Sequence, residues 1–191
     1  MIDMRRSRVA ILFLSAILVL GLAAPASSAV AVHSGFHGLY FPAGMEGTGT
    51  DCPYTWVEMP PSCVMAPGSQ TVLPNGRVFI SDMELYELAF AYGRSGAVEP
   101  RKTGYDLVTA NAYLDSTFTG PTWGTWNLYS FDDELMFTGV FTGRFKDGIP
   151  AVRYFGEGTG VYDGQIMFGR IDRVPDPWNM FGHILDLSSL L

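Results

Sequence analysis

The chain has 191 residues, with 12 Lys and Arg against 19 Asp and Glu and a formal net charge of −7. A surplus of acid on this scale excludes nucleic-acid binding by phosphate neutralisation and attraction to anionic lipid. The length corresponds to one ordinary domain and a leader, enough to bury a real core.

Residues 1–29 have the pattern of a secretory signal peptide. Arg5, Arg6 and Arg8 form a basic start, Val9 to Ala24 is an apolar run broken by Ser15 and Gly21, and Ser27 and Ala29 supply the small residues of a cleavage site. The run is shorter than the roughly 20 residues a spanning helix needs. The expected product is secreted or extracytoplasmic, with no membrane attachment after cleavage. Loss of three Arg and of Asp3 leaves nine basic against eighteen acidic residues and moves the charge from −7 to −9.

Residues 30–71 read as an irregular extension, with Gly35, Gly38, Pro42, Gly44, Gly47 and Gly49 along it. Phe36, Leu39, Tyr40 and Phe41 are apolar enough to supply one strand. The only cysteines, Cys52 and Cys63, form an even pair in an exported chain and are expected to be bridged. Such a loop contributes roughly 2–3 kcal/mol by chain entropy. His33 and His37 are four residues apart, but the segment is not helical in pattern, so no metal site is expected.

Residues 72–191 read as the folded domain. Asn75-Gly76 is a turn signal. Residues 79–92 fit two patterns: Ser81-Asp82-Met83-Glu84 has the form of a helix capping box, whereas period two puts Val78, Ile80, Tyr86, Leu88 and Phe90 on one side, interrupted by Asp82 and Glu84. Strand is preferred because the surroundings are β. Tyr105 to Phe118 and Trp123 to Phe131 are strand-like, and Glu134 to Lys146 has the clearest alternation, with Leu135, Phe137, Phe141 and Phe145 sharing a face with Gly139 and Gly143. Ala151 to Phe155, Tyr162 to Val174 and a short Gly182 to Leu187 complete the series. About six to eight short strands joined by tight turns imply a sandwich or a barrel. Glycines inside the strands favour the barrel, which must coil sharply to close. The expected fold is therefore all-β: a small antiparallel β-barrel, closed or nearly closed, with an irregular N-terminal extension.

Three segments carry a resemblance to known proteins. They are Gly120-Pro121-Thr122-Trp123-Gly124-Thr125-Trp126, Phe137-Thr138-Gly139-Val140-Phe141-Thr142-Gly143, and Gly156-Glu157-Gly158-Thr159-Gly160-Val161-Tyr162-Asp163-Gly164. This stretch resembles the allene oxide cyclase and dirigent barrels and the lipocalin-like bacterial proteins shaped like them. The shared residues are glycines and aromatics that shape a barrel, so the resemblance implies a fold and only by analogy a cyclase or isomerase activity.

No nucleotide-binding loop, nucleophile elbow, zinc-protease motif or calcium loop occurs, and no cofactor is expected. Trp123, Asn127 and Tyr129 share one face of a strand. Pointing inward they would form an aromatic wall with a polar handle for a small hydrophobic ligand, and otherwise they are packing residues. Asp82, Glu84, Asp106, Asp115, Glu134, Glu157 and Asp163 are the acids in or beside strands. Asp82 and Glu84 are the candidates for catalysis, because they break an apolar face. The leading expectation is a secreted small-molecule-binding barrel. The alternatives are a cofactor-independent isomerase or cyclase, and a structural or interaction module, including a homo-oligomer.

Overall fold

A computed structural model describes residues 32–41, 62–172 and 178–187. The segment read as a leader, most of the cysteine loop with Cys52, and the chain end lie outside these residues. The described residues form one antiparallel sheet of ten strands: β1 (Val32–Phe41), β2 (Ser62–Ala66), β3 (Ser69–Val72), β4 (Val78–Gly93), β5 (Gly104–Leu114), β6 (Gly120–Tyr129), β7 (Leu135–Lys146), β8 (Ile149–Gly158), β9 (Gln165–Asp172) and β10 (Trp178–Asp186).

Strands β4 to β10 pair in sequence as a meander. β1 closes the ring, pairing with β10 along one edge and with the C-terminal half of β4 along the other. The result is an eight-stranded antiparallel barrel, as the alternation and in-strand glycines imply. Its seam lies inside the segment that glycine content marks as an irregular extension. β1, β2 and all of β3 except Val72 fall within residues 30–71, and β2 and β3 pair with β4 between Val78 and Glu87. Gly38 belongs in a strand because a Cβ there would strike the backbone of Phe90 and Ala91 across the seam.

The ambiguous stretch is one long strand. A β-bulge lies between Ile80 and Met83, where Asp82 takes a left-handed conformation with φ 55°. A bulge inserts a residue and switches the face of everything after it. Ile80 is therefore followed inward by Met83, Leu85, Glu87, Ala89 and Ala91, all buried.

An eight-stranded barrel has an interior that side chains can fill. Here Val108, Leu114, Trp126, Leu128, Phe137, Phe145, Tyr154, Met167, Met180 and Ile184 are core residues. The largest of them lie flat over glycines of neighbouring strands. A Cβ would come within 2.8 Å of the Trp126 ring at Gly139 and within 2.5 Å at Gly156. Gly169 and Gly182 likewise leave room for the Tyr154 phenol. These glycines make space for rings in addition to letting the sheet coil.

Candidate functional site

Among the buried residues of the barrel, charge is concentrated at one end, where the β4–β5 connection folds inward. This connection is a short 3₁₀ turn, Pro100–Lys102, capped by Glu99. Arg101 holds it in place. Its Nε and Nη2 donate to the two Glu99 carboxylate oxygens at 2.7 and 2.9 Å. Nη2 also reaches Ser34 Oγ on β1 at 2.7 Å, and Nη1 reaches Gln165 Oε1 on β9 at 3.5 Å. The hydrogen bond to Glu99 raises the Arg101 pKa above its ordinary value, although burial opposes it. One guanidinium thus ties the turn across the barrel end to two strands.

Lys102, the next residue, points the other way. Its Nζ donates to Asp106 Oδ2 at 3.0 Å, and both side chains are 3 % exposed. The ammonium lies 5.0 Å from the Trp126 ring centroid and 5.5 Å from that of Tyr154, close enough for cation–π attraction to both. The two rings meet edge to face, with centroids 6.0 Å apart. Glu87 on β4 stands directly opposite Asp106 on β5 and is also buried. The Tyr154 hydroxyl donates to the Phe181 carbonyl oxygen at 3.2 Å. Burial, and secondarily the charge of Asp106, pushes the Tyr154 pKa well above 10.0. Two carboxyl groups, one ammonium and a protonated phenol therefore share a low-dielectric compartment. Such an arrangement contributes little net stability for its desolvation cost, and clusters of this kind mark functional sites.

Apart from Thr122 the rest of the core is apolar, and it holds four buried methionines, Met83, Met136, Met167 and Met180. Methionine is unbranched and repacks readily around a guest. The lumen is thus a packed apolar core over a polar floor, with methionines as the side chains best able to repack.

The residues singled out in the sequence lie elsewhere. Trp123 is 40 % exposed and stacks on Phe79, with ring centroids 6.3 Å apart. Asn127 Oδ1 accepts from Thr138 Oγ1 at 2.8 Å, and Tyr129 stacks on Tyr105 at 5.3 Å. All three are on the outer face, because the alternating residues Trp126 and Leu128 belong to the core. Asp82 and Glu84 are exposed, their direction set by the bulge. They are not brought together with Glu87, Lys102 and Asp106, and Lys102 is preceded in sequence only by an ordinary turn signal.

Tyr129 instead belongs to an outer ladder. Tyr86 and Tyr105 stack at 5.4 Å, and the Tyr105 hydroxyl donates to Asp133 Oδ1 at 2.6 Å. Burial raises the pKa of both Tyr86 and Tyr105, and Asp133 adds to the effect. Cys63 is 1 % exposed within this cluster and is not a free thiol. His37 sits on β1, an extended strand, where residues four apart are about 13 Å from each other along the chain. Among the described residues no group of three or more His, Cys, Asp or Glu comes together.

No protein-family model matches the sequence, and neither a curated protein nor a solved structure matches it.

Proposed function

We propose that this is an exported barrel, bridged between Cys52 and Cys63, that holds a small, mainly apolar molecule in its lumen. The observation that carries this reading is the buried Lys102–Asp106 pair, with Glu87 in register beside it, beneath Trp126 and Tyr154. An apolar core gains nothing from such a group unless something uses it. Carboxylate oxygens at the floor of an apolar wall would suit a mainly apolar guest that donates a hydrogen bond, such as an alcohol, phenol or amine. The apolar body of the guest would displace the methionine side chains. The resemblance to allene oxide cyclase and dirigent barrels supports the architecture of this reading.

The test is a thermal-shift and calorimetric titration with medium-chain alcohols, phenols and amines. Saturable binding that Asp106→Asn weakens at least about tenfold is expected, the effect of losing a hydrogen bond to a charged group. Absence of saturable binding across the panel, or binding that Asp106→Asn leaves unchanged, contradicts the proposal.

Tyr154 favours a second reading, cofactor-independent isomerisation or cyclisation. Its phenol stays protonated near Asp106 and donates to the Phe181 carbonyl oxygen, so a guest that took over this bond would meet a donor and an acceptor together. Solvent-deuterium incorporation into a bound probe, read by mass spectrometry, measures this proton movement. Tyr154→Phe would abolish incorporation while leaving probe binding intact. No incorporation by the unsubstituted protein contradicts it.

A further inference from the structure

The outer wall carries a second site of opposite character. Arg153 on β8 and Arg170 on β9 are directly opposite each other in the antiparallel ladder. Like charges in that position repel and destabilise the pairing. The repulsion is unexpected in a chain with a net charge of −7, where acidic neighbours are plentiful. Only one of the two is neutralised: Arg170 Nε lies 3.0 Å from Asp172 Oδ2 in an exposed pair. Among the described residues Arg153 has no ion-pair partner.

The two arginines line a cleft of about 340 Å³ with Phe181, His183, Gly169 and Gly182. Phe181 stands opposite Arg170 on β10, is 41 % exposed, and has the Arg170 guanidinium 5.5 Å from its ring centroid. That contact orients one guanidinium and leaves part of the ring open. Another cation is close by. A Cβ at Gly35 would sit 3.3 Å from Arg94 Nε and 3.5 Å from His183 Nδ1, so Arg94 approaches the same edge of the cleft. The floor of the cleft is the paired backbone of Gly169 and Gly182 on β9 and β10, whose inner side is packed by the Tyr154 phenol.

From this geometry we infer a surface site for a small organic oxyanion, its carboxylate or phosphate held between Arg153 and Arg170 and its apolar body against Phe181. Guanidinium forks match such groups with two parallel hydrogen bonds, and the bound charge relieves the cross-strand repulsion. A cleft of this volume suits a small molecule. The site is separate from the lumen: Arg153, Arg170 and Phe181 are exposed on the outer face, whereas Tyr154 and Ile171 face the core.

Isothermal titration of the full mature protein with benzoate, phenyl phosphate and inorganic phosphate tests the inference. Both aromatic anions should bind saturably and more weakly as salt is added. Arg153→Gln and Arg170→Gln should each weaken them by about tenfold or more, as expected for a lost charge-assisted contact. Phe181→Ala should reduce phenyl phosphate to the affinity of inorganic phosphate. Benzoate binding without phosphate binding would assign a carboxylate site, and the converse a phosphate site. Asp106→Asn should leave all three unchanged, which separates this site from the lumen. Failure of both aromatic anions to bind, or undiminished binding by the two arginine variants, overturns the inference.

Discussion

Arg101 and Arg153 show how differently one residue type is used on the two sides of this barrel wall. Arg101 is enclosed by Glu99, Ser34 and Gln165, and its hydrogen bonds hold the turn that carries Lys102 into the lumen. Arg153 is exposed opposite a second arginine and contributes nothing comparable to the fold. Inside, a buried carboxylate–ammonium pair lies beneath apolar walls, the setting proposed for a hydrogen-bond-donating guest. Outside, arginines predominate beside an open aromatic ring, which suits an oxyanion. Burial therefore predicts which substitutions damage stability, whereas uncompensated exposed charge predicts which alter binding alone.

Substitution at the lumen floor should have the largest effect. Lys102→Met leaves Asp106 buried without its ammonium and should cost about 3–5 kcal/mol, as removal of one partner from a buried pair does. Urea denaturation measures this, and the double variant Lys102→Met, Asp106→Asn should recover part of the loss. A cost below about 1 kcal/mol would mean that the pair is hydrated and the contrast with the outer wall is false.

High pH should expose a smaller difference between buried and exposed groups. Tyr154, Tyr86 and Tyr105 all have pKa values raised above 10.0 by burial. The unfolded chain releases these protons near pH 10.0, whereas the folded chain retains them. Their contribution to stability is complete below that pH and is lost as pH rises further. Ultraviolet titration should show late-ionising tyrosines whose release coincides with alkaline unfolding. Ionisation of all nine tyrosines in one step near their ordinary pKa, with the fold intact, would contradict this.

Arg153→Gln should have the smallest effect on stability. It removes a like-charge contact at an exposed position, so stability should stay within about 0.5 kcal/mol or rise slightly. A substantial loss would mean that Arg153 supports the wall after all.

The barrel was legible in the sequence where alternation is unambiguous. On β7, Phe137, Phe141 and Phe145 with Gly139 and Gly143 mark the inner face because the opposite residues are mostly polar. On β6 both faces carry aromatics, so Trp123 and Trp126 cannot be told apart by pattern; only the ring of neighbouring strands shows that Trp126 packs inward. On β4 the bulge at Asp82 reverses the face. It turns Asp82 and Glu84 outward and Glu87 inward, and local periodicity carries no sign of the switch. Lys102 was the hardest to foresee, since a lysine in a Pro-containing turn is ordinarily solvated and its burial depends on Arg101 bridging to strands far away in sequence. The seam strand β1 was obscured by Gly35 and Gly38, which serve close packing but resemble loop residues.

The central claim, that the packed lumen repacks its methionines around a guest over a polar floor, is tested most directly by methyl NMR. Methionine-labelled protein would be titrated with a medium-chain alcohol or phenol that gives saturable binding. The account predicts saturable shifts of the Met83, Met167 and Met180 methyl signals, abolished or strongly weakened by Asp106→Asn. Unshifted signals from these three methionines at saturation, with changes confined to exposed Met65, would contradict it.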